Sequence, residues 1–133
     1  MTDKLKDSRD NVAVVDENES ANIIVKFTNN YTPILKTNLF TITVTLFDRQ
    51  TELIINGVED TSVFDEHNGS VDTDGTLTWR LSPEDNVIID TNLPTGSLEE
   101  HIARFTWTWY DGIQARTGKK EVSFDVRRLA VPV

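Results

Sequence analysis

Apolar and polar side chains alternate with a period of two along most of this chain, and that pattern limits what it can fold into. Ile23, Val25 and Phe27 alternate with Ile24 and Lys26, and Phe40, Ile42, Val44 and Leu46 with Thr41, Thr43 and Thr45. Leu77, Trp79 and Leu81 stand opposite Thr76, Thr78 and Arg80. Phe105, Trp107 and Trp109 stand opposite Arg104, Thr106 and Thr108, and Val122, Phe124 and Val126 opposite Glu121, Ser123, Asp125 and Arg127. Successive side chains of a strand point to opposite faces, so each run has one face to bury. Threonine, β-branched and polar, suits the half-wet face. The short apolar segment 52–55 runs into Asn56-Gly57, a turn signal. No comparable run repeats at helical spacing, although Ser82-Pro83-Glu84-Asp85 reads as one short helical turn with Ser82 as cap. Strands of this kind, separated by Gly, Pro, Asn and Asp, predict an all-β fold: one antiparallel β-sandwich of about seven strands over residues 22–133. Residues 1–21, polar apart from Val12 to Val15, read as an N-terminal arm.

Residues 104–112, RFTWTWYDG, carry four aromatic side chains in six positions. Phe105, Trp107 and Trp109 share a face, and the opposite face carries Arg and Thr. Exposed together, three such rings would make an apolar patch of a size that soluble monomers rarely show. They are expected in the core, facing Trp79 and Phe124. Tyr110 falls on the other face, where its phenol reaches water.

Charge narrows the partners. The net charge is −9, and residues 48–100 hold thirteen acids against Arg49 and Arg80. Residues 116–128 reverse the sign, with Arg116, Lys119, Lys120, Arg127 and Arg128 against Glu121 and Asp125. An acidic middle repels phosphate backbones, so no nucleic acid is expected as a partner. No apolar run approaches the roughly 18 residues that span a bilayer, so no membrane partner is expected either. The first ten residues contain nothing like a signal peptide, and the chain is expected to be made in the cytoplasm without secretion. There is no cysteine, which excludes disulfides and thiolate chemistry.

Catalytic motifs are missing: no HExxH, Gly-x-Ser-x-Gly or phosphate-binding loop occurs. The chain is read as not an enzyme, with no cofactor. Asp72-Thr73-Asp74-Gly75 has the alternating acids of a calcium loop, but the twelfth position, where a glutamate belongs, is Pro83. It reads as a turn, and no metal is expected. His67 and His101 are the two imidazoles, both flanked by acids and both expected at the surface. Residues 111–118 form either a tight Asp111-Gly112 hairpin turn or a longer exposed loop. Either way the chain returns antiparallel.

Three segments together resemble a known family: 72–85 (DTDGTLTWRLSPED), 104–112 (RFTWTWYDG) and 118–126 (GKKEVSFDV). The pattern, over residues 20–128, is similar to small immunoglobulin-like β-sandwich domains of tailed-bacteriophage structural proteins. The resemblance implies a virion component of neck, tail, baseplate or capsid surface. Such a protein works by assembly with other virion structural proteins and copies of itself, and has no fixed catalytic or binding positions. Within that expectation the interaction residues are the basic strand and the apolar tail: Arg116, Lys119, Lys120, Arg127, Arg128, Leu129, Val131 and Val133. The arm and the tail would lie along a neighbour, adding strands to it. The alternative is a carbohydrate-binding sandwich, for which Tyr110 with Tyr31 would supply the exposed rings.

Overall fold

A computed structural model describes residues 2–5 and 13–129. They form eleven strands: β1 Thr2–Lys4, β2 Val14–Asp16, β3 Ala21–Lys26, β4 Thr28–Asn29, β5 Thr32–Pro33, β6 Leu39–Asp48, β7 Thr61–Ser62, β8 Gly69–Val71, β9 Thr76–Leu81, β10 Leu98–Tyr110 and β11 Ala115–Arg127. The fold is all-β, with two short 3-10 turns, Lys36–Asn38 and Pro83–Asn86. The larger sheet runs β1-β11-β10-β6-β7, with β2 also on β11, and a second sheet runs β3-β9-β8. The spine is the β10–β11 hairpin, paired in unbroken register from Leu98 with Arg127 to Tyr110 with Ala115.

The alternating runs point inward as their period requires. Ile23, Val25 and Phe27, then Leu77, Trp79 and Leu81, cover the inner face of the small sheet, and all are buried. Ile42, Val44, Leu46, Phe105, Trp107, Trp109, Val122, Phe124 and Val126 cover that of the large one. These side chains belong to one hydrophobic cluster. Trp79 meets Phe105 edge-on across it at 6.0 Å, and Phe27 lies 4.7 Å from Trp107. Trp107 lies over its cross-strand partner Gly118, where an added Cβ would stand 2.5 Å from the indole ring. Any larger residue at 118 would push Trp107 off the sheet.

Phe40 departs from the expected pattern. It is 54 % exposed, and Leu39 takes the buried place. The pairing of β6 with β10 steps from Thr108 opposite Thr41 to Trp109 opposite Leu39, so Phe40 is an extra residue in a bulge. Beyond a bulge the alternation changes phase, and Phe40 turns outward.

The expected arm differs more. In its described residues it supplies β1 and β2, and both pair with β11 in parallel: Thr2 to Lys4 against Glu121 to Ser123, Val14 to Asp16 against Asp125 to Arg127. The large sheet is therefore mixed rather than purely antiparallel. Val15 joins the core and Leu5 packs against it. Two apolar residues and a run of backbone hydrogen bonds suffice to bind a short strand to a preformed edge, without the longer alternation that would mark it in the sequence.

Local signals did their expected work elsewhere. At the Pro83–Asn86 turn, Ser82 donates its backbone N–H and its hydroxyl to the Asp85 carboxylate at 2.8 and 3.0 Å. Residues 111–114 make the tight turn: Asp111 Oδ1 accepts the N–H groups of Ile113 and Gln114, and Gly112 has φ +98°. The short-turn alternative holds, and residues 115–118 belong to β11.

Candidate functional site

The expected interaction residues lie along β11 and just past it. Arg116 pairs with Asp111, Arg127 with Asp16 at 2.6 Å and Arg128 with Glu17 at 3.8 Å. Glu17 also accepts the backbone N–H of Leu129 at 2.7 Å. Much of the basic charge is thus answered within the chain, partly by the segment that carries β2. Lys119 is exposed, and Lys120 is half-buried. Val131 and Val133 lie outside the described residues.

β1 and β2 cover β11 only at 121–123 and 125–127. Upstream, residues 115–120 pair with β10 on one side. Among the described residues, no strand pairs with the other side of 115–119. The Arg116 guanidinium, with the backbone N–H groups of Gln114 and Ile113, holds the pKa of the Asp111 carboxyl down at about 2.

At the same end stand two hairpin tips. Asn30 and Tyr31 turn the β4–β5 hairpin with φ +50° and +67°, the left-handed pair of a type I′ turn. Tyr31 is 99 % exposed, and Ile113, on the β10–β11 turn, is 86 % exposed. Between them lies a groove of about 500 Å³ lined by Asn29, Asn30, Asn38, Trp109, Tyr110 and Asp111, among others. Tyr110 is exposed as expected, and its hydroxyl donates to the Gly112 carbonyl at 3.0 Å.

The opposite end of β10 holds what the sequence reading missed. His67 is exposed, but His101 is fully buried, which corrects the expectation that both are surface residues. His101 occupies a core-facing position between Asp48 on β6 and Phe124 on β11. Its ring meets Phe124 edge-on at 5.8 Å. Its Nε2 lies 2.6 Å from Glu99 Oε1. Glu99 also accepts the N–H groups of Ile89 and Asp90 at 2.8 and 2.9 Å. Asp48 Oδ2 accepts the N–H and hydroxyl of Thr51 at 2.9 and 2.7 Å. Asp48 and Glu99 are both buried. The signal was in the alternation: read backward from Trp109, the core row of β10 passes Trp107, Phe105 and Ala103 and continues in His101 and Glu99.

At the turn 72–75, Asp72 Oδ1 accepts the N–H groups of Asp74 and Thr76, each at 3.0 Å. The carboxylate closes the turn. Among the described residues, no helix is long and apolar enough to cross a membrane.

No family model matches this sequence, and no curated protein matches it.

Proposed function

We propose that this chain is an immunoglobulin-like β-sandwich acting as a structural or adaptor protein of a tailed-phage virion, through assembly with other virion proteins and with copies of itself. The strand order supports the fold assignment. In immunoglobulin domains strands B, E and D lie in one sheet and C, F and G in the other. Here β3, β9 and β8 take the first three places, and β6, β10 and β11 the others.

The observation that carries the assembly reading is the run at residues 115–119 of β11, which no strand among the described residues covers. An edge with unpaired N–H and C=O groups accepts an extended segment from another chain, which gains main-chain hydrogen bonds without remodelling the domain. Lys119 on that edge favours an acidic segment over a second copy of the same basic run, and so biases partner choice more than raw affinity. Immunogold labelling of purified particles, with light scattering of the isolated chain, tests the reading. The chain is expected on the particle and, with its partner, in large assemblies that Lys119→Glu weakens. A chain found only free and monomeric would sink it.

The groove between the hairpin tips favours a second reading, carbohydrate binding. Tyr31 and Tyr110 offer exposed rings, and Asn29, Asn30, Asn38 and Asp111 offer amide and carboxylate groups for hydroxyls. Trp109 lines the groove, so saturable change of tryptophan fluorescence on adding polysaccharide is the expected sign. No change with any glycan tried would remove this reading and leave the first intact.

A further inference from the structure

We propose that Asp48, Glu99 and His101 form a binding site for a divalent transition-metal ion, zinc being the best fit. Each offers one ligand atom, and the three atoms lie within 4.8 Å of one another. One imidazole and two carboxylates are a donor set that suits zinc, with water completing the coordination. Calcium and magnesium, which prefer oxygen alone, fit it less well.

Three observations carry the site. The first is charge: among the described residues, neither Asp48 nor Glu99 pairs with a lysine or arginine, and His101 is the one titratable partner of Glu99. Nearby Arg49 is engaged by Glu100 at 2.6 Å. Two carboxylates held out of water beside a single imidazole are short of positive charge, which a dication supplies. The second is hydrogen bonding. His101 is fully buried, yet its Nδ1 has no partner. Asp48 bonds Thr51 through Oδ2 alone, leaving Oδ1 without a hydrogen bond. A buried ring nitrogen without a partner calls for an explanation, and an unfilled ion site is one. The third is access. Asp48 and Glu99 line a cleft of about 640 Å³ whose wall also carries Asp90 and the paired Arg49 and Glu100, so acids outnumber bases where a cation would enter.

The placement also suits an ion that braces the fold. Asp48 ends β6, Glu99 and His101 begin β10, and Glu99 holds the N–H groups of Ile89 and Asp90. An ion shared by the three side chains would tie two strands and the loop before β10 at one point. Binding only the folded state, it would stabilise it by mass action.

The test uses the full chain, stripped with chelator and titrated with zinc chloride. One equivalent is expected to bind, with a rise of several degrees in melting temperature, and cobalt(II) in its place should give visible ligand-field bands. Asp48→Asn keeps an oxygen for the Thr51 hydrogen bonds but loses the charged ligand, and should weaken zinc binding at least tenfold. His67→Ala, which removes the exposed imidazole, should bind as the wild type does. Should Asp48→Asn not fold, ¹⁵N shifts of the wild-type His101 ring on adding zinc decide the matter. Absence of stoichiometric zinc binding by the wild type, wild-type affinity in a folded Asp48→Asn, loss of binding in His67→Ala, or unmoved His101 ring shifts would each overturn the assignment.

Discussion

Trp107 shows how much one side chain carries. It packs against Phe27, lies 6.5 Å from Trp109 and covers Gly118 on the neighbouring strand. Trp107→Ala is expected to cost about 3–5 kcal/mol, read as a large drop in melting temperature. A melt unchanged by that substitution would falsify the core assignment. Tyr31 is the opposite case, a bulky residue at φ +67° with nearly all of its surface in water. A left-handed conformation costs a non-glycine residue about 1–2 kcal/mol. Tyr31→Gly should therefore leave the melt unchanged or raise it slightly, while abolishing any glycan response at the tip. Asp111 gives the pH prediction. Its folded pKa of about 2 lies below the ordinary 3.8, the Arg116 hydrogen bond being the largest cause. The pairing is complete above about pH 4 and is lost as pH falls through 2. Its Arg116 side lies open to solvent, which screens the pair, so it moves stability little and carboxyl NMR is the measurement, with a midpoint near 2 expected. A midpoint near 3.8 would mean the pair does not persist in solution.

At the scale of elements, the longer strands were legible because each had three or four inward residues at strict alternation. Two features escaped. The bulge at Phe40 shifts the phase by one residue, and nothing between Leu39 and Thr41 announces it, both neighbours being compatible with either face. β1 and β2 are three residues each, too short to show a period, and the edge they join was formed by residues more than a hundred positions away. The buried carboxylate–histidine row was hidden for a related reason: polarity at 99 and 101 reads as the strand's end, whereas the register continues through it. This changes what truncation should do. The sequence alone suggests that removing residues 1–18 leaves a stable domain. With Val15 buried, its side chain alone contributes about 1.5–3 kcal/mol, and removal bares the rest of the β11 edge. The truncated form is expected to melt lower and to aggregate, by calorimetry and light scattering. The turn at 72–75 behaves differently. Asp74 contributes only its backbone N–H to the Asp72 carboxylate, so Asp74→Asn should not move the melt, and neither should calcium at that turn.

Over the whole molecule, the parallel attachment of β1 and β2 to β11 has a mechanical consequence. Parallel strands point the same way, so tension applied at Thr2 and at Leu129 pulls the two sides of that ladder past each other along their length. The hydrogen bonds of Thr2 to Lys4 and Val14 to Asp16 with β11 are then loaded together, in shear, instead of one after another as in unzipping. A domain held this way resists stretching between its ends more than its modest size suggests. Single-molecule pulling should register it as a higher rupture force from the ends than from a pair of sites that peels β11 away from β10. Under load along the chain, the strands that close the sheet would also be the ones that keep the chain from being drawn out.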